Sequence, residues 1–334
     1  MTAIISAAGV GKTFRQLKRE SGLRGALGSL FSRTYNSIRA VDGVSFVIES
    51  GEAVGYLGPN GAGKSTTIKM MTGILVPSEG TLRVLGREPH ANRMVNAREI
   101  GVVFGQRSQL WWDLPVRDSF ALNRHIYDIP ALRFAENLRL LTDMLDMGAY
   151  LDRPVRQLSL GQRMRAEIAL SLLHDPRILF LDEPTIGLDV VAKDAVRKFL
   201  AEVNRQRGTT IILTTHDLVD IEEICPRLIM VDDGKLLFDG ELKRLRATLG
   251  SRRRLKLEFA TDPGPIALST ATLALDEGAA KYYLLEDETT SLIDVLNEVG
   301  RGRSLKDVKL EEPDIEEVIR TFYQNKATRQ GAVA

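Results

Sequence analysis

The sequence predicts an α/β fold: a mostly parallel sheet with a phosphate-binding loop at its strand ends, followed by a smaller α+β module. Three observations predict it. Gly58-Pro59-Asn60-Gly61-Ala62-Gly63-Lys64-Ser65-Thr66 fits the pattern Gly-x-x-x-x-Gly-Lys-Ser. It lies between a short apolar run, Ala53 to Leu57, and a helical start, Thr66 to Met71. A second apolar run, Ile178-Leu179-Phe180-Leu181, ends in Asp182-Glu183. Buried parallel strands read this way, with function at their C-terminal edge.

The 334 residues allow one large domain and something smaller. A net charge of +1 provides no global field for nucleic acid or anionic lipid, so no nucleic-acid partner is expected. Cys225 is the single cysteine and cannot form an internal disulfide; it reads as a small apolar residue. No apolar run approaches the ~20 residues that cross a bilayer. Met1 to Val10 lacks a basic leading segment and reads as an opening strand at Ile4-Ile5 rather than a signal peptide. Any membrane span is therefore expected on another chain.

Each motif has a chemical reason. A phosphate needs converging N–H donors, and a helix N-terminus supplies them with a favourable dipole. Glycines let the backbone wrap the anion closely. Lys64 would reach the β- and γ-phosphates, and Ser65 would offer its hydroxyl to Mg²⁺. Asp182 is placed to hold the same Mg²⁺ through water, and Glu183 to polarise an attacking water. Two carboxylates alone would more simply end a strand in solvent. Two further segments change that balance. Leu158-Ser159-Leu160-Gly161-Gln162-Arg163 precedes a helix with Met164, Ile168 and Leu172 on one face, and the β-rich run Thr209 to Thr215 ends in His216-Asp217.

In this order, the motifs resemble those of the ABC ATPases, from about Ile4 to about Glu241. Leu158 to Gln162 resembles the family signature, with Leu160 where many members have glycine. Asp182-Glu183-Pro184-Thr185 and Gly187-Leu188-Asp189 resemble Walker B running into the D-loop. Gln106, after Ile100 to Phe104, resembles the Q-loop glutamine, and His216 the switch histidine. The resemblance implies a P-loop NTPase core with a mostly parallel sheet, an antiparallel N-terminal sheet and a helical subdomain. It implies hydrolysis of ATP with Mg²⁺, Glu183 as general base, His216 on the γ-phosphate, and Gln106 touching Mg²⁺ or the water. It also implies that Ser159 and Gly161 serve the ATP of a second copy in a head-to-tail dimer, and that Gln162 and Asp189 also contact nucleotide. Adenine needs an aromatic to stack on. Phe14 and Tyr35 compete for that role, with Phe14 nearer the strand end.

The remaining organisation follows. Residues 15–38 read as an insertion, basic and with Leu23, Leu27, Leu30 and Phe31 at helical spacing. Residues 107–175 read as the helical subdomain, within an ATPase domain spanning 1–245. Of Trp111 and Trp112, one is expected to line the groove that receives a permease helix, the other to pack inward. An accessory domain is expected over 250–326 in the order ββαβα, then a disordered tail over 327–334. The resemblance implies integral-membrane permease subunits on separate chains, a place on the cytoplasmic face of the inner membrane, and a lean toward export. The alternative is a soluble ABC ATPase acting on ribosomes or DNA. The single P-loop, and the short span 66–158 between loop and signature, weigh against it. A P-loop kinase or GTPase would leave Ser159 to Gln162 and His216 without a role.

Overall fold

The computed structural model describes residues 2–17, 35–105, 108–248, 254–285, 291–300, 304–311, 319–320 and 322–323. It divides into two units, Met1–Gly240 and Glu241–Ala334. In the first, β1 (Ala3–Leu17) and β2 (Tyr35–Glu49) form an antiparallel ladder. Next come β3 (Ala53–Leu57), α1 (Lys64–Met71) and β4 (Glu79–Val84), which pairs with the other edge of β1. After α2 (Arg93–Ala97) and β5 (Ile100–Phe104) come α3 (Val116–Ile126), α4 (Ala131–Met144) and α5 (Leu160–Leu172). The chain then alternates through β6 (Ile178–Asp182), α6 (Val190–Arg207), β7 (Thr210–Thr214) and α7 (Leu218–Ile224). The hairpin β8 (Arg227–Asp232) and β9 (Lys235–Glu241) closes the unit.

Two sheets result: β2-β1-β4, and six strands in the order β5-β6-β7-β3-β8-β9. The pairs β5–β6, β6–β7, β7–β3 and β3–β8 are parallel. Every residue of β3 and β7 is buried, as strands covered on both faces require. One core joins the sheets: Ile5, Phe46 and Ile48 pack with Val54, Tyr56, Phe180 and Ile212, and with Ile68, Met70 and Met71 of α1. Each such side chain contributes about 1.5–3 kcal/mol by leaving water. That core anchors both ends of the loop between β3 and α1. Tyr56 sends its hydroxyl to Thr67 Oγ1 at 3.3 Å, and burial pushes its phenol up to about 12.

The proposed insertion is shorter than its expected bounds. The β1–β2 ladder continues through Phe14↔Ile38 and Arg15↔Ser37 to Leu17↔Tyr35, so both ends of the 15–38 stretch are strand. Residues 18–34, with the leucines at helical spacing, lie outside the described residues. The expectation that one tryptophan packs inward is corrected as well. Trp111 and Trp112 sit in a turn rather than a helix, and both are more than half exposed; Leu110 is the residue that packs inward. The turn is closed by the Leu114 amide on Trp111 O and leaves both rings facing out.

The second unit holds α8 (Leu242–Thr248), β10 (Arg254–Phe259), β11 (Ala271–Glu277), β12 (Ala280–Leu285), α9 (Leu292–Val299) and β13 (Leu305–Glu311). Its antiparallel sheet runs β11-β12-β10-β13 over a core of Leu255, Leu257, Phe259, Tyr283, Leu285, Val295 and Val299. The ββαβα expectation omitted β11. Six of that edge strand's seven residues are exposed, so it carries no two-residue alternation to read. Of the expected final helix only Ile319, Arg320, Phe322 and Tyr323 are described, and the tail is not. Among the described residues no helix is long and apolar enough to cross a membrane.

Candidate active site

The loop from Gly58 to Gly63 is wedged between strands. Gly63 precedes α1 at φ 95°, and a Cβ there would lie 2.3 Å from Ala40 O on β2. A Cβ on Gly58 would lie 2.4 Å from Val231 O on β8. Only glycine fits either place. Gly61 turns at φ 86°, and Pro59 O accepts from the Ala62 amide at 3.2 Å. No side chain caps α1, which leaves its leading amides for an anion. Lys64 is buried and folds back on the loop, donating to Gly58 O at 2.6 Å and Pro59 O at 3.1 Å. Burial lowers its pKa, while Glu183 and Asp182 pull it upward. A phosphate would supply the direct ion pair that this ammonium lacks among the described residues.

Parallel register brings the acids to the loop. Asp182 ends β6 beside Thr214, which ends β7. Thr214 Oγ1 donates to Asp182 Oδ1 at 2.6 Å, and Ser65 Oγ reaches the same oxygen at 3.4 Å. Glu183 follows at φ 57°, a left-handed conformation unusual for a residue with a Cβ. Its amide is held by Thr214 O at 2.9 Å, and its Oε1 lies 2.7 Å from His216 Nε2. The Gly105 amide donates to Asp182 O at 2.8 Å, and a Cβ there would meet Glu183 O at 2.6 Å. Gln106 comes next and lies outside the described residues.

The signature is built at the start of α5. Ser159 caps α5: its Oγ accepts from the Gln162 amide, while Gln162 Oε1 accepts from the Ser159 amide. A Cβ on Gly161 would come within 3.0 Å of Ala192 Cβ, and one on Gly187 within 2.9 Å of Leu160 Cδ2. Asp189 caps α6 through the Ala192 amide at 2.8 Å. Signature and D-loop thus pack on each other. Among the described residues neither hydrogen-bonds to the loop 58–66. Phe14 lies on β1 with Lys12 Nζ 5.4 Å from its ring centre. Tyr35 begins β2, and its side chain is outside the described residues.

Sequence reasoning missed a buried network behind these loops. Asp220, fully buried on α7, accepts from Thr185 Oγ1, from Thr215 Oγ1 at 2.8 Å, and from Arg197 Nε on α6. Arg197 also pairs with Asp217 at 3.0 Å, and Lys193 reaches Asp217 at 2.7 Å. Burial acts to raise the Asp217 pKa, but Lys193 and Arg197 outweigh it and hold the carboxyl below its usual range. The network ties the segment after Glu183 to the segment after His216. Its members come from two helices and two loops, so no local spacing announces them.

A glycine-lined loop, an ammonium waiting for an anion, and a carboxylate–imidazole pair at neighbouring strand ends define a nucleotide hydrolase of the P-loop class. Comparison with known proteins narrows the class. The ABC transporter family matches residues 41–186. The chain is 32% identical over 208 residues to the ABC transporter ATP-binding protein NatA of Bacillus subtilis, covering 62% of this chain and 84% of that one. It is 36% identical over 217 residues to Nod factor export ATP-binding protein I of Paraburkholderia xenovorans, covering 65% and 70%. A methionine import ATP-binding protein, MetN of Geobacillus kaustophilus, is 34% identical over 217 residues, covering 64% and 63%. A bacterial ABC transporter cassette solved as a dimer superposes with TM-score 0.58 at 25% identity, over 71% of this chain and 98% of that one. The chain belongs to the ABC transporter ATP-binding proteins, subunits that bind and hydrolyse ATP.

Proposed function

We infer that the chain drives export through separate integral-membrane permease subunits, from the cytoplasmic face of the inner membrane. Two copies would close head to tail on two ATP molecules. The likeness to an export ATP-binding protein supports the direction, with import as the second reading because an import relative is nearly as similar. The dimeric relative supports the second copy, as does the fact that, among the described residues, Ser159 and Asp189 cap their own helices and make no hydrogen bond to residues 58–66.

In this reading Gly58 to Thr66 cradle the phosphates, and Lys64 exchanges loop carbonyls for phosphate oxygens. Phe14, rather than Tyr35, stacks on adenine. Ser65, Asp182 and Gln106 would hold Mg²⁺. The donor set fits a hard cation: a hydroxyl and a carboxylate with its Oδ2 open among the described residues, the remainder left to phosphate and water. Mg²⁺ would neutralise charge on the transferred phosphoryl group. Glu183 accepts the proton of the attacking water, and His216 holds its orientation. The 2.7 Å Glu183–His216 pair carries this reading, because it fixes a base at the strand end beside Asp182. Glu183→Gln tests it: ATP binding is retained and turnover falls by roughly 10²–10⁴. Wild-type turnover in that variant refutes the assignment. A variant that stays monomeric at saturating ATP, with permease present, refutes the dimer.

A further inference from the structure

We propose that Glu167 is a positioning residue that fixes the segment leaving Gln106, and both tryptophans beyond it, to the helix that begins at the signature. This deepens the function proposed above and rests on it. The chain enters position 106 from Gly105, whose amide is held on Asp182 O at 2.8 Å. It leaves at Ser108, whose hydroxyl donates to Glu167 Oε1. The Gln109 amide donates to both carboxylate oxygens of Glu167, at 3.0 and 3.1 Å, and the Leu110 amide reaches Oε1 at 3.4 Å. One end of the glutamine segment is therefore anchored on the catalytic strand, the other on α5.

The same helix holds the tryptophan turn. Arg163, one turn before Glu167 on α5, places its guanidinium 5.9 Å from the Trp112 ring centre. Arg156, just before the signature, pairs with Asp113 at 3.0 Å, and its amide donates to Trp112 O at 3.0 Å. Trp111 is tied through its amide to Ser119 Oγ at 3.1 Å. Ser159, the residue that would meet the partner copy's ATP, stands eight residues before Glu167, about 12 Å along the axis. Displacement of Ser159 on nucleotide would carry Glu167, and with it positions 108–112.

Glu167 is 4% exposed, in a helix whose neighbouring positions Ala166, Ile168 and Ala169 are buried and apolar. An apolar side chain would be the less costly occupant. A carboxylate there specifies one geometry for the start of the loop, where Ser108 and Gln109 are exposed and only Leu110 packs inward.

Trp111 and Trp112 are the only tryptophans, so intrinsic emission reports this turn alone. The experiment uses the full-length protein. ATP affinity is read by calorimetry, tryptophan emission is followed during Mg-ATP titration, and steady-state turnover is measured for wild type, Glu167→Ala, Glu167→Gln and Ser108→Ala. In Glu167→Ala, ATP affinity should stay within about two-fold while the ATP-induced emission change halves or vanishes and kcat falls at least about five-fold at near-constant KM. Glu167→Gln keeps an acceptor for all three donors and should restore both. Ser108→Ala removes one donor at an exposed site and should give an intermediate loss, which also serves if Glu167→Ala does not fold. The proposal is overturned if the variants that fold keep the full emission change and kcat, or if ATP leaves wild-type emission unaltered. A wild-type protein that neither binds nor hydrolyses ATP would instead overturn the functional reading and this proposal together.

Discussion

Asp220→Ala should destabilise the first unit by about 3–4 kcal/mol. The magnitude follows from three losses. Arg197, 8% exposed, keeps Asp217 at 3.0 Å as its direct ion pair among the described residues, so a buried guanidinium is left half-compensated. Breaking a buried pair outright costs about 3–5 kcal/mol, and the remaining partner places this case near the lower end. Thr185 and Thr215 also lose their common acceptor, adding up to about 1 kcal/mol together. Asp220→Asn preserves an acceptor for the threonines and should cost less, about 2 kcal/mol. The double variant Arg197→Met/Asp220→Leu should cost less than either single change, because no charge is left stranded. Urea unfolding followed by tryptophan emission is the assay, since both tryptophans lie in this unit. Single losses below about 1 kcal/mol, or a double loss equal to their sum, would refute the view that this network is a coupled charge cluster.

Four further outcomes follow. Gly63→Ala places a Cβ 2.3 Å from Ala40 O at φ 95°, so ATP binding by calorimetry should fall at least about ten-fold, matching strain of about 1–3 kcal/mol. Lys64→Ala should abolish measurable ATP binding while leaving the thermal midpoint within a few degrees, because among the described residues the ammonium hydrogen-bonds to loop carbonyls and makes no direct ion pair. Cys225 is buried and burial pushes its thiol well above the ordinary range, so a thiol-reactive dye should label it only in denaturant; prompt native labelling would contradict the packing. Burial raises the Glu167 pKa despite its three donors. Its contribution to stability is full below the ordinary carboxylate value and declines as pH rises through the raised one. The stability of Glu167→Gln relative to wild type should therefore improve from acidic to neutral pH.

Motif spacing made the chemistry legible but not its support. Positions 58–66 announce themselves because glycine is obligatory where Ala40 O and Val231 O press on the loop. Strands β3 and β6 were readable because burial on both faces demands unbroken apolar runs, and β7 because its run is rich in β-branched residues. Edge strand β11 offered no such pattern, and the ends of the 15–38 stretch are strand because they pair across the ladder, which local composition does not record. Both tryptophans face out because a turn, not a helix, presents them. No local spacing marks Asp220, Arg197 and Glu167; only tertiary placement turns them into buried ties.

The backbone at Glu183 bears on how this protein could be made hardier. At φ 57° a glycine would relieve about 1–2 kcal/mol of steric conflict with the residue's own carbonyl neighbourhood. Selection for heat resistance alone would thus favour emptying the very position proposed to activate water. Under that proposal, resistance to boiling and the capacity to burn fuel pull against each other at a single residue.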